Sequence, residues 1–132
     1  MIRGMRHIGI AVRSLQERVP LYRALGLEVS GGEDVGTEMV RVAFFAAGET
    51  RIELLEPTAP ESPVARFIAK RGEGLHHICF EVDDIRATMK ELARQGFQLL
   101  SEEPKPGAHG TQVCFVHPRS AGGVLIELCQ VG

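Results

Sequence analysis

No apolar run in this chain approaches the roughly 18 residues that a bilayer-spanning helix requires, so no membrane partner is expected. Positive charge is not in excess. Fifteen basic residues against 17 acidic ones give a formal net charge of -2, which offers a nucleic acid no attractive field. CxxC spacing is absent too. The three cysteines (Cys79, Cys114, Cys129) are odd in number and sit in apolar stretches, so they are expected to be reduced core thiols of a cytoplasmic protein. Residues 1–6 run straight into a strand pattern, and no signal peptide is expected there. The remaining composition is that of an ordinary globular protein. With 132 residues, 44% of them hydrophobic, the chain is long enough for one domain with a sizeable core.

What the sequence does contain is a repeat. His7-Ile8-Gly9-Ile10-Ala11-Val12 returns as His77-Ile78-Cys79-Phe80-Glu81-Val82, and at the same offset Gly26 meets Gly96. Each copy ends in an apolar strand with one glutamate, Ile52-Glu53-Leu54-Leu55 and Ile126-Glu127-Leu128-Cys129. In the first copy the alternation of residues 7–12 predicts a strand. Ser14 caps a helix reaching about Leu25, with Glu17 as capping-box partner and Pro20 imposing a kink or a late start. Gly26 stops that helix, residues 27–30 are expected as a strand and 31–36 as a loop. Residues 39–45 and 51–55 then form a hairpin. Ser62-Pro63 opens a short linker helix over 64–71. The second copy follows the same order: strand 75–82, helix 84–95 capped by Asp84, then strands 97–101, 112–117 and 124–130. The fold class is thus α+β, two paired βαβββ modules in a single domain over 1–132. Module one covers 1–57, the linker 58–74 and module two 75–132. Two copies are too few for a solenoid.

Glu127 stands in a strand that is otherwise uncharged. Buried there, an ionised carboxylate is costly unless a cation or hydrogen-bond donors compensate it. Glu53 poses the same problem in a milder form, because Arg51 and Glu56 are near in sequence. His7 shares its strand face with Gly9 and Ala11, whose small side chains leave a hollow beside the imidazole. His77 shares its face with Cys79 and Glu81, whereas His76 points the other way and is read as a structural or surface residue. Two histidines and two carboxylates at matching points of a repeat suit one divalent ion of the manganese, iron, cobalt, nickel or zinc group. His117 is expected to be a solvated turn residue, and His109 either lines a substrate entrance with Lys105 or is simple loop polarity.

These stretches resemble the vicinal oxygen chelate (glyoxalase/bleomycin-resistance) superfamily. Ser62-Pro63-Val64-Ala65, residues 74–84, Gly107-Ala108-His109-Gly110 and His117-Pro118 with Gly122 to Leu128 narrow the resemblance to its methylmalonyl-CoA epimerases. It implies a cupped mixed β-sheet around one divalent metal held by His7, Glu53, His77 and Glu127. It further implies an acyl-CoA substrate and a homodimer. Lys105, His109 and Arg119 are the candidates for substrate contacts, by loop position and charge. Inversion at a carbon needs an acid/base group on each face, so Glu53 and Glu127, related by the repeat, are expected to serve as opposed proton carriers. A glyoxalase I-type lactoylglutathione lyase is the alternative enzyme. A metal-free ligand-sequestering protein of the resistance type is the alternative outside enzymology.

Overall fold

The repeat of residues becomes a repeat of hydrogen bonding. The computed structural model describes residues 1–107 and 110–132. Its elements run β1 (Ile2–Ala11), α1 (Leu15–Ala24), β2 (Glu33–Val35), β3 (Val40–Ala47), β4 (Thr50–Pro57), α2 (Pro63–Arg71), β5 (Gly74–Val82), α3 (Ile85–Arg94), β6 (Lys105–Pro106), β7 (Gln112–Val116) and β8 (Leu125–Gln130). A short 3-10 helix, Pro118–Ala121, lies between β7 and β8. The order βαβββ therefore occurs twice.

Two compact units result, one of residues 7–76 and the other of residues 77–132 joined by residues 1–6. In the first unit the strand order is β2-β3-β4-β1, with β1 parallel to β4 and the other neighbours antiparallel. The second has the order β5-β8-β7-β6, with β5 parallel to β8 and the rest antiparallel. Both carry a mixed sheet, because the last strand of each module, reached after the helix and two antiparallel strands, returns beside the first and parallel to it.

Helix placement follows from caps and apolar spacing. Ser14 Oγ accepts the Glu17 N–H, Ser62 Oγ the Val64 N–H and Asp84 Oδ1 the Ala87 N–H, each relieving an unpaired first-turn donor. Ile85 and Met89, four residues apart, put one face of α3 onto Val82, Cys114, Val116 and Leu128. Val64 and Ile68 do the same for α2 on Ala11, Val40 and Leu55. Val19 of α1 packs with Val12, Ala43, Phe45 and Leu54. Helix α1 starts at Leu15 and continues through Pro20, so no late start occurs. Pro20 is exposed, which lets water take the Gln16 carbonyl that proline leaves without an amide donor.

The second strand of each module departs from expectation. Residues 27–30 form no strand, and β2 falls in the stretch expected to be a loop. Leu27 and Val29 do pack into the core. Ser30, however, meets Phe44 with its backbone N–H and its hydroxyl, which receives the Phe44 N–H at 2.9 Å. A hydroxyl acting in place of a backbone carbonyl ends the ladder there. Residues 97–101 likewise keep only an isolated bridge, Leu99 to Val116, with Leu100 N–H donating to the Phe115 carbonyl. The strand β6 comes later and stays short, since Pro106 has no amide to extend it.

Candidate functional site

Glu53 and Glu127 both occupy interior strands. β4 lies between β3 and β1, and β8 lies between β5 and β7. Register then fixes their neighbours. Glu53 is flanked by Gly9 on β1 and Phe44 on β3. Glu127 is flanked by Cys79 on β5 and Phe115 on β7. Residues in register share a face, so each carboxylate emerges between a small residue and a phenylalanine. Alternation along the parallel strand puts His7 on the Gly9 face and His77 on the Cys79 face.

The outcome is one imidazole–carboxylate pair per module. His7 Nε2 lies 3.9 Å from Glu53 Oε1, and the side chains retain 17% and 20% exposure. His77 Nε2 lies 3.8 Å from Glu127 Oε1, with 11% and 15%. Neither glutamate faces bulk solvent from an edge, and each remains reachable by a small ligand. The separations exceed a direct hydrogen bond between those atoms, yet stay below the about 4.2 Å that two donors at about 2.1 Å from one cation can span. Each pair thus has the donor types and spacing that a divalent cation requires.

The pairs differ in one respect. Arg51 Nε stands 3.4 Å from Glu53 Oε2, and its guanidinium carbon sits 3.7 Å above the Phe44 ring. The corresponding position beside Glu127 is Leu125, the register partner of His77. Arg51 is the register partner of His7, so it shares the face of His7 and Glu53. Its role was legible in sequence only through its place two residues before Glu53, which alternation assigns to the same face.

The other sequence candidates fall elsewhere. His76 packs edge-on against Phe67, 5.0 Å between centroids, and burial holds its pKa below the ordinary imidazole value. It is structural, as its strand parity indicated. His117 is half-buried rather than a solvated turn residue, and its Nδ1 accepts the Arg119 N–H at 3.0 Å, capping the short helix. Lys105 is exposed on β6 and Arg119 on that helix. His109 lies outside the described residues. All three cysteines are buried, and none is in a disulfide among the described residues. Burial, then the nearby Glu127 carboxylate, push the Cys114 thiol up to about 11.

The model of the glyoxalase/bleomycin resistance protein/dioxygenase superfamily matches residues 6–115. The chain belongs to this superfamily. Among curated members it is 44% identical over 134 residues to the ethylmalonyl-CoA/methylmalonyl-CoA epimerase of Cereibacter sphaeroides, covering 99% of this chain and 100% of that protein. It is 43% identical over 128 residues to the mitochondrial methylmalonyl-CoA epimerase of Homo sapiens, covering 96% of this chain and 73% of that one. A solved structure of a methylmalonyl-CoA epimerase in complex with methylmalonyl-CoA and NH4+ superposes with a TM-score of 0.86 at 36% identity, over 100% of this chain and 96% of that chain. The two βαβββ modules are those of the vicinal oxygen chelate fold, and the superfamily generally binds a divalent metal.

Proposed function

We propose that this chain interconverts the two epimers of methylmalonyl-CoA. The observation that carries the reading is the pair of half-buried glutamates, each beside a histidine on an interior strand, in a chain whose likeness to named epimerases is nearly full-length. The same likeness favours this substrate over a glutathione hemithioacetal, and the doubled donor set argues against a metal-free sequestering protein. As part of the proposal, His7, Glu53, His77 and Glu127 are the residues that hold one divalent ion.

The substrate carbon lies between a thioester carbonyl and a carboxylate. When bound, the ion supplies positive charge where those oxygens gain negative charge as the α-proton leaves. The rest falls to the chain. His7 and His77 supply ring nitrogens that orient the site. One glutamate takes the proton from one face, and the other returns a proton to the opposite face, as inversion demands. In this proposal Glu53 and Glu127, which the repeat matches, are the two acid/base groups. Lys105, His109 and Arg119 are proposed as contacts for the CoA portion. A cytoplasmic homodimer, with cobalt, nickel, manganese, zinc or iron as the ion, completes the proposal. Among the described residues no helix is long and apolar enough to cross a membrane.

The test is to strip the protein of metal, supply one epimer of methylmalonyl-CoA, and follow formation of the other with and without added divalent ions. Ion-dependent epimerisation is expected. No epimerisation with any ion, alongside turnover of the methylglyoxal–glutathione adduct, would replace this reading with the lyase.

A further inference from the structure

Within the first module the two oxygens of Glu53 face different partners. Oε1 is turned toward His7 Nε2 at 3.9 Å, and Oε2 toward the Arg51 guanidinium at 3.4 Å. Arg51 is itself held, because its guanidinium lies flat-on at 3.7 Å above Phe44, the register partner of Glu53 on β3. Phe44, Arg51, Glu53 and His7 therefore form a chain of contacts on one face, each link fixing the next. A guanidinium suits such a post. It is planar, stacks on an aromatic ring and keeps donors in its own plane for a carboxylate. The second module repeats the phenylalanine, the glutamate and the histidine, but has Leu125 where the first has Arg51. Leucine neither donates to a carboxylate nor carries charge.

Resting on the metal reading above, we infer that Arg51 is a positioning residue that clamps Glu53 by one oxygen and presents the other for metal binding. Partners that hold a ligating carboxylate in this way are typically worth about 10- to 100-fold in metal affinity.

The experiment is a titration of metal-free protein with Mn(II) and Co(II), read by calorimetry and, for cobalt, by the visible absorption of the bound ion. Far-UV dichroism confirms that each variant is folded. Arg51→Ala is expected to weaken binding about tenfold and to alter the cobalt spectrum. Phe44→Leu, which removes the platform without changing charge, is expected to weaken it about threefold, the worth of an exposed cation–π contact. Arg51→Lys should fall between wild type and alanine, since an ammonium keeps the charge without the planar fork. Arg41→Ala removes the same charge from the opposite face of β3 and should leave affinity unchanged. Unchanged or tighter binding by Arg51→Ala overturns the inference, because tightening is what loss of a cation beside a dication gives when no positioning is at work. Wild-type protein that binds neither ion overturns the metal reading itself, and the clamp with it.

Discussion

Glu56 and Gln130 perform the same task in the two modules. Glu56 Oε1 at the end of β4 accepts the Leu15 N–H at 2.7 Å, and Gln130 Oε1 at the end of β8 accepts the Ile85 N–H at 2.8 Å. Each side chain reaches from a strand to the first residue of its module's helix, relieving a donor that the helix cannot satisfy internally. Together with Ser14 and Asp84, they bind both helix starts to the sheet that carries the glutamates.

The pair differs in charge, which gives a stability prediction. A carboxylate at a helix N-terminus is favoured by the helix dipole, by about 0.3–1 kcal/mol. Gln130→Glu is expected to stabilise the protein by that amount. Gln130→Ala and Glu56→Ala should each cost about 1 kcal/mol, the usual worth of a lost cap. Urea unfolding at pH 7 measures all three.

Glu73 predicts a pH dependence. The Arg18 guanidinium first, and the Arg13 backbone N–H second, hold its carboxyl at about 2 against an ordinary 4.5. A folded-state pKa depressed in this way contributes stability that is complete above the unfolded value and is lost as pH falls through the folded one. The difference in stability between wild type and Glu73→Gln should therefore shrink as pH drops from about 5 to about 2. It should also shrink in high salt, since the pair is open to solvent. Chemical denaturation along that pH series decides it, and a difference that stays constant would refute the assignment.

Replacement of the glutamates tests the proton chemistry. Glu127→Gln and Glu53→Gln are each expected to lower epimerisation by about 10²- to 10⁴-fold, the usual contribution of a positioned acid or base. Exchange of the α-proton with deuterated water, followed by mass spectrometry, separates removal from return. Full exchange and full epimerisation in both variants, with metal bound, would remove the two-glutamate mechanism.

Burial of the thiols predicts their reactivity. Cys79, Cys114 and Cys129 are enclosed thiols, and both Cys114 and Cys129 have thiol pKa values raised by desolvation. At pH 8 the native protein should show no fast reaction with a disulfide reagent, and all three thiols should react once it is unfolded. A fast-reacting thiol in the native state would contradict this burial.

Much of the fold was legible because its signals are local. Ser14, Ser62 and Asp84 mark helix starts by side-chain chemistry, and the alternation around His7 and His77 marks strands. The third elements were not legible, because the decision there is tertiary. Leu27 and Val29 have strand character, yet the Ser30 hydroxyl takes the Phe44 amide and the ladder shifts to Glu33–Val35. Nothing in residues 27–30 alone reveals which group will answer Phe44. The glutamates could be singled out because charge in an apolar strand is conspicuous. The Arg51 stack could not, because it depends on Phe44 arriving in register from another strand.

Strand β1 has a consequence for how the chain matures. Its residues 1–6 count with 77–132, and its residues 7–11 with the segment up to 76. The second unit is therefore discontinuous along the polypeptide, and a fragment cut at the linker would lack part of it. Assembly must wait for partners about seventy positions apart to meet, a non-local step that slows folding. The half that emerges last is finished by a segment that emerged long before it.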